Sequence, residues 1–382
     1  MLRGLAIVIM ALDHVRDYVM AGGDVDPMAN PHIGAALFFT RWITHFCAPV
    51  FVCLAGTSAG LMTARKTKTA LGAFLLTRGV WLLVVEMTIV AIAWSFAPFG
   101  TPQVGGRVVL AMQVIWAIGA SMVVLAGAQF LGQRACLAIG AVILLGHNLL
   151  DPVWPVTGGL FAIGSPAWVA LHAQMGLILG PFHLAFVYPL LPWVGVMLLG
   201  FGAAPVFQQA PAVRDRRLLV AGVTAVIAFV LLRGSGLYGD PNAWQVQDGA
   251  TATLIDVLNV TKYPPSLLYV LMTLGPAAML CASADRVPDA IRRRLIVFGR
   301  APFAFYVAHL YVVHILAIVL GMALGFGVRP FLTFSFFFPQ GYGFGLGAVY
   351  VAWLLVVAAL YPLCAAVGRI KARRRDWWLS YL

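Results

Sequence analysis

Ten stretches of this chain are apolar for long enough to cross a bilayer, which takes about 20 residues of helix. They lie at roughly 2–22, 34–62, 73–95, 108–130, 135–150, 183–207, 218–236, 264–282, 298–324 and 343–367. The fifth is short, and the second and ninth are long, so tilts or breaks are expected there. A water-soluble core cannot absorb this much apolar surface. Of 382 residues 62% are hydrophobic and 10% charged, with mean hydropathy +0.93, whereas a soluble domain is about 45–50% apolar and about 25% charged. A soluble enzyme, a disordered scaffold and a secreted disulfide module are excluded as readings of the whole chain. The predicted fold is all-α: a polytopic integral membrane protein of about ten transmembrane helices, forming a single domain over residues 1–382.

The positive charges set the orientation. Lys and Arg number 25 against 13 Asp and Glu, a net charge of +12. In a soluble protein that balance would suggest nucleic acid. Here the charges sit between apolar spans, so no nucleic-acid partner is expected. Arg65, Lys66, Lys68, Arg134, Arg214, Arg216, Arg217, Arg286 and Arg292–Arg294 fall in every second loop, and Arg369–Arg375 follow the last span. The alternate loops hold only Arg107, Lys262 and Arg329. Both termini are therefore predicted to be cytoplasmic. The first twenty residues imitate a signal peptide, but the run Leu5–Leu12 is interrupted by Asp13-His14-Val15-Arg16-Asp17 and no A-x-A site follows, so a retained helix is expected. The basic tail with Trp377, Trp378 and Tyr381 reads as an interfacial anchor. The loops at about 151–182 and 237–263 are predicted to lie outside, the first with a re-entrant or interfacial helix near Trp168–Leu179.

Ionisable side chains inside such spans are costly and mark function by default. The first span carries the densest set. Asp13 and Asp17 are four apart and share a helix face, while Asp13 and Arg16, and His14 and Asp17, are three apart. The second span adds Arg41 and His45 on one face. Glu86, Gln113, His147, Asn148 and His309 complete a predicted polar chamber in the outer half of the membrane, with Tyr306 and His314 on the same span as His309. A histidine beside a carboxylate is the usual general-base arrangement, because the carboxylate holds the tautomer and stabilises the imidazolium. The bland alternative is ion-pair glue between helices and snorkelling at the interface, which weighs most for Asp13, Arg16 and Asp17. His314 reads as packing or an interhelical hydrogen bond, and His172 and His183 sit in or beside an outer loop, where a structural role outweighs a functional one.

Several motif matches carry no chemistry. Gly56-Thr57-Ser58-Ala59-Gly60 fits G-x-S-x-G, but that motif works on a strand-to-helix elbow. Inside an apolar helix its glycines read as a packing pair. The glycines at 341, 343, 345 and 347 follow no strand and are expected to allow close helix approach at the tenth span. Asn259-Val260-Thr261 is a sequon on a predicted outer loop. The five cysteines and eight histidines show no metal-ligand spacing, so neither a metal site nor disulfides are expected.

A set of longer stretches resembles one family. They are Leu2-Arg3-Gly4-Leu5, Leu12-Asp13-His14-Val15-Arg16-Asp17-Tyr18, the run from Ala36 through Arg41, His45 and Pro49 to Phe51, and Leu54-Ala55-Gly56-Thr57-Ser58. Later come Thr261-Lys262-Tyr263-Pro264-Pro265-Ser266-Leu267, Gly299-Arg300-Ala301-Pro302-Phe303 and Arg373-Arg374-Arg375-Asp376-Trp377-Trp378-Leu379-Ser380. This resembles the bacterial membrane proteins grouped with the catalytic domain of heparan-alpha-glucosaminide N-acetyltransferase. The lysosomal enzyme moves an acetyl group from cytosolic acetyl-CoA to a glucosamine amine on the luminal side, so the resemblance implies transmembrane acyl transfer. That enzyme's histidine lies in the loop after its first matching helix, where His32 sits here, and an Asn takes the place of His14. A fainter likeness is to the acyltransferase family 3 membrane enzymes, whose first helix also carries an Arg and a His. Arg3 and His14 are eleven helical steps apart, about 16 Å or roughly half a bilayer.

The expected function is an acyl-CoA-dependent N- or O-acetyltransferase of a membrane, by the resemblance the bacterial cytoplasmic (inner) membrane. Acetyl-CoA would be the donor, with Arg3, Arg78 and Arg300 on its phosphates. An amino sugar or envelope glycan would be the acceptor at the outer face. His14, or alternatively His45 or His32, would take the acceptor's proton. Asp13 or Asp17 would orient that base, Arg41 would stabilise the oxyanion or position the acceptor, and Arg16 would line the chamber. The partners expected are acyl-CoA, the acceptor, the bilayer and, as an open alternative, a second copy in a homodimer. Two rival readings use the same residues: a transporter or flippase with a proton-coupled chamber, and a non-catalytic membrane component assembled through these charges.

Overall fold

The computed structural model describes residues 1–22, Met28, 33–153, 159–374, Asp376 and Leu379. In chain order the helices are α1 (Leu2–Val19), α2 (Ala35–Thr44), α3 (Cys47–Met62), α4 (Lys68–Val85), α5 (Ala91–Ser95), α6 (Val114–Ala128), α7 (Gln133–Gly146) and α8 (Pro166–Leu171). They continue with α9 (Leu190–Ala203), α10 (Pro211–Ser235), α11 (Ala250–Leu258), α12 (Leu267–Ala282), α13 (Asp289–Arg300), α14 (Pro302–Ala323) and α15 (Leu346–Arg373). Three short strands, β1 (Val108–Met112), β2 (Gly176–Leu179) and β3 (Phe182–Phe186), form a sheet in the order β1-β3-β2.

Helix accounts for 72% of the described residues, which makes this a mostly helical membrane protein. Among the described residues eight helical spans are long and apolar enough to cross a bilayer. Two expected spans fall outside that set for different reasons. α1 carries Arg3, Asp13, Arg16 and Asp17, and α12 is only 16 residues long. Large apolar side chains such as Val142, Leu231 and Leu355 are exposed along the spans. In water they would form sticky patches, and in a bilayer they are the lipid-facing surface.

Both over-long spans are broken, and proline is present at each break. Residues 35–62 part at His45-Phe46, where Pro49 has no N–H for the His45 carbonyl. Residues 298–324 part at Ala301, where Pro302 takes the first helical position of α14. The fourth and sixth spans start later than the apolar pattern suggested, because 108–112 and 182–186 are strands. The expected helix near Trp168–Leu179 is likewise six residues of α8 followed by β2. The β2–β3 hairpin turns on Gly180-Pro181, with Gly180 at φ 55, the left-handed geometry that a two-residue hairpin demands.

The chain divides into two compact units. The first comprises Met1–Cys47, Thr88–Val109 and Val287–Leu382. Its centre is α1, which packs against α2, α13, α14 and α15. Gly4 lets α1 cross α13 closely: a Cβ there would sit 1.8 Å from the Leu295 carbonyl oxygen. Arg3 Nε donates to the Gly299 carbonyl at 2.8 Å in the same crossing. Trp353 of α15 donates its indole N–H to the Val8 carbonyl at 2.8 Å. At the other end of α1 the backbone of Val19–Ala21 pairs with Phe344, and Gly343 (φ 116) allows that approach. The glycines before α15 thus serve this turn. Gly345 and Gly347 face open space, so the expected close helix contact there is not formed.

The second unit comprises Ala48–Met87 and Leu110–Arg286. Here α4 packs on α6, α7 and α6 on α9, and α10 on α12. Gly56 and Gly60 of α3 lie against the α9 backbone, where a Cβ on Gly56 would come 2.1 Å from the Met197 carbonyl oxygen. Ser58 spends its hydroxyl on the Leu54 carbonyl at 2.7 Å. The G-x-S-x-G match is a packing motif. Loop 237–263 is organised by Arg233, whose guanidinium donates to four carbonyls, those of Asn242, Asp256, Val257 and Asn259. Thr261 of the sequon donates to Asp240 at 2.9 Å.

Candidate functional site

The first unit gathers one set of the polar residues expected in a chamber. Asp13, His14, Arg16 and Asp17 occupy the last two turns of α1, Arg41 and His45 the end of α2, and His309 and His314 the middle of α14. His14 Nδ1 lies 2.7 Å from His309 Nε2, with the two rings stacked at 4.9 Å between centroids and 16° between planes. His309 Nδ1 lies 3.0 Å from the Phe305 carbonyl, one turn back on α14.

This chain of contacts assigns the tautomers. A carbonyl oxygen can only accept, so His309 carries its proton on Nδ1 and presents an Nε2 lone pair. His14 therefore donates through Nδ1, which leaves the lone pair of a neutral His14 on Nε2. His309 is fully buried, in α14. Trp94 of α5 meets the His14 ring edge to face at 4.9 Å, and Tyr306 does so at 6.3 Å. Tyr18 donates its phenol proton to the Trp94 carbonyl at 2.6 Å, and Tyr342 donates to the Tyr18 carbonyl at 3.0 Å. Burial pushes the Tyr342 phenol above the usual tyrosine range, so it stays a donor.

The carboxylates are engaged with guanidinium groups. Arg41 Nη1 donates to both Asp13 oxygens, at 3.0 and 2.7 Å. Arg16 Nη2 lies 3.2 Å from Asp13 and 2.5 Å from Asp17. The sequence spacing suggested that Asp13 or Asp17 orients the histidine. In the structure the 2.7 Å partner of His14 is His309, and the two carboxylates balance two buried arginines. Isolated charges at this burial would be far more costly than the paired set. Asp17 keeps 27% of its side chain exposed. It faces a cavity of about 190 Å3 that Met20, Ser335, Gln340 and Tyr342 also line. That cavity begins one turn beyond His14.

The opposite end of α1 is basic. Arg3 is tied to Gly299, Arg300 is exposed at the end of α13, and Lys371 Nζ reaches the Arg300 carbonyl at 3.4 Å. Arg78 belongs to the second unit, half-buried on α4. His45 is buried at the break after α2. His32 lies outside the described residues, as do Trp377, Trp378 and Tyr381 of the tail.

The second unit carries the remaining expected residues in two places. Glu86 is fully buried, and its Oε1 accepts the Gln113 backbone N–H at 2.8 Å. Gln113 precedes α6 and serves through its main chain at the helix start. Asn148 joins the Leu267 N–H, at 2.9 Å, to Asp151, also at 2.9 Å. His172 Nε2 meets the other Asp151 oxygen at 2.8 Å, and His147 packs edge to face on His172. The Asp151–His172 pair and Trp94 had no signal in the sequence beyond their residue types, because loop and helix register alone bring them in. Among the described residues no cluster of three His, Cys, Asp or Glu side chains is placed to hold a metal ion.

Residues 1–236 match the family profile described as heparan-alpha-glucosaminide N-acetyltransferase, catalytic. The matched part carries His14, Asp13, Arg16, Asp17, Arg41 and His45, while His309 lies beyond it. No curated protein matches the chain. With its charged first helix and most of its spans inside the match, the chain belongs to the family of the heparan-alpha-glucosaminide N-acetyltransferase catalytic domain.

Proposed function

We propose that the protein transfers an acetyl group from cytoplasmic acetyl-CoA to an amine or hydroxyl of a sugar-containing acceptor on the far side of the membrane, with both termini cytoplasmic and both units acting as one membrane domain. Membership of an acetyltransferase family supports the reaction class. The observation that carries the assignment to residues is the His14–His309 hydrogen bond, placed eleven residues along α1 from Arg3. Eleven helical steps are about 16 Å. The residues present fit an extended donor whose phosphates sit among Arg3, Arg300 and Lys371 and whose thioester reaches His14.

In this reading His14 Nε2 takes the proton of the acceptor N–H or O–H as its lone pair attacks the thioester carbonyl. The C–S bond breaks, and the imidazolium returns the proton to the leaving CoA sulfur. His309 positions the base by accepting from His14 Nδ1 throughout. Arg41 and Arg16 hold Asp13 and Asp17, and with them the end of α1, so that the acceptor cavity and the base keep one geometry.

The test is made on purified protein in proteoliposomes with labelled acetyl-CoA inside and glucosamine outside. Transfer that is lost in His14→Ala, with acetyl-CoA binding kept, is the expected result. Wild-type protein that binds no acetyl-CoA at millimolar concentration refutes the reading. Substrate-dependent proton flux without CoA would put a transporter in its place.

A further inference from the structure

Beside the Asp17 cavity lies a second concavity of opposite character. It is a groove of about 510 Å3 between α14 and α15, and every residue that lines it is apolar. It runs along Val312–Leu320 of α14 and Ala348–Ala359 of α15. The eleven helical steps from Ala348 to Ala359 are about 16 Å, half of a hydrocarbon core about 30 Å thick, so the groove is about one leaflet deep. Its head meets the polar cavity across a single layer of backbone. Ala21 N–H donates to the Phe344 carbonyl at 3.0 Å, and Phe344 N–H donates to the Val19 carbonyl at 2.9 Å. Met20 lines the polar cavity, while Val19 and Phe344 line the groove.

Resting on the function proposed above, we infer that the acceptor is an amphiphile: a glycolipid whose sugar head enters the Asp17 cavity and whose hydrocarbon chain lies in the α14–α15 groove. The polar cavity at its head is what distinguishes this groove from the rest of the lipid-facing surface. Bulk lipid would fill the groove without needing a polar cavity at its head. The lining selects the head. Asp17, partly exposed there beside its Arg16 partner, accepts hydrogen bonds, and Ser335 and Gln340 alongside can donate and accept, which suits the hydroxyl groups of a sugar. Presenting the sugar from a chain lying in the protein's own groove also fixes its height against His14, one turn from Asp17 on α1.

The experiment compares methyl glucosaminide with dodecyl glucosaminide as acceptors, in wild type and in the double variant Ala348→Phe, Ala359→Phe. Both alanines are exposed in the groove, so the added rings fill it without entering the core. Ala358→Phe, exposed on α15 outside the groove, is the control. The expected result is a KM for the dodecyl acceptor about tenfold or more below that for the methyl acceptor in wild type, the order set by burying several methylene groups. The groove-filling pair abolishes that advantage and leaves the methyl acceptor unchanged, while the control changes neither. Partition into the bilayer lowers KM equally in all three proteins and does not imitate this pattern. Equal effects on both acceptors, including no effect, overturn the inference.

A second measurement separates its failure from failure of the acetyltransferase reading. Dodecyl glucosaminide carrying a diazirine on its chain is expected to label Val312–Leu320 and Ala348–Ala359, less so in the groove-filled protein, whether or not acetyl transfer occurs. Labelling elsewhere overturns the inference. Labelling here without transfer to either acceptor sinks only the proposed reaction.

Discussion

Removing His309 tests how the two histidines divide the work. His309 Nδ1 is committed to the Phe305 carbonyl at 3.0 Å, so its Nε2 is an acceptor for the His14 N–H at 2.7 Å. His309→Ala deletes that acceptor and leaves a part-buried N–H without this partner, which costs about 1–3 kcal/mol. If the whole cost falls on the imidazolium formed in the transition state, kcat drops about 5- to 150-fold at 1.36 kcal/mol per decade. His14→Ala removes the base itself and should cost about 10²–10⁴-fold. His309→Gln, whose amide oxygen can accept from His14, should retain more activity than the alanine variant. The decisive comparison is the double variant. Because His309 acts through His14, His14→Ala with His309→Ala should be no slower than His14→Ala alone. The assay is initial-rate acetyl transfer in proteoliposomes, with acetyl-CoA binding measured alongside to show an intact donor site. Multiplicative losses in the double variant, or an unimpaired His309→Ala, would refute the reasoning.

The other expectations concern charge and packing in the first unit. Asp13→Asn removes the partner of two buried arginines and should cost about 2–4 kcal/mol, below the full range for a broken buried pair because the Asp13 side chain keeps 13% exposure; a thermal melt in detergent that matches wild type would contradict it. Adding Arg41→Gln to Asp13→Asn should recover part of that loss, read in the same melt. Gly4→Val places a Cβ 1.8 Å from the Leu295 carbonyl oxygen and should destabilise by about 1–3 kcal/mol or more as α1 and α13 move apart; an unchanged melt would refute a close crossing at Gly4. Arg300→Ala, exposed at the basic end, should raise the acetyl-CoA Kd about tenfold through one lost charged contact while leaving the melt unchanged. An unaltered Kd would place the donor phosphates elsewhere.

The membrane class was legible from hydropathy, and tilts or breaks in the second and ninth spans from their length, while the prolines that mark the breaks stood unread in the sequence. The strands at 108–112 and 182–186 were not legible. A short run that is apolar on both faces has the same composition in a buried strand and a helix end, and only pairing across a hairpin distinguishes them. The charges of α1 were legible as a set through their three- and four-residue spacing, and Arg41 through its span. Their partners were another matter. Helical spacing reports which side chains share a face of one helix. It carries no information on which neighbouring helix meets that face.

That limit explains the difference between the expected and observed histidine environments. A carboxylate one turn away on α1 looked like the natural orienting group for His14, since local spacing is the only geometry a sequence displays. Two guanidinium groups in the same small volume change the balance. Each demands a carboxylate more strongly than a neutral imidazole does, because an unpaired buried charge costs more than an unpaired buried dipole. Arg16 and Arg41 therefore take Asp13 and Asp17, and His14 turns to a neutral acceptor on another helix. The consequence is chemical. The hydrogen bond to His309 uses Nδ1, so in the proposed reaction Nε2 is the atom of His14 that meets the acceptor. The arginine–aspartate lattice at the end of α1 thus closes the charge balance of a helix too polar to be apolar throughout, and the histidine pair across α1 and α14 is built beside it.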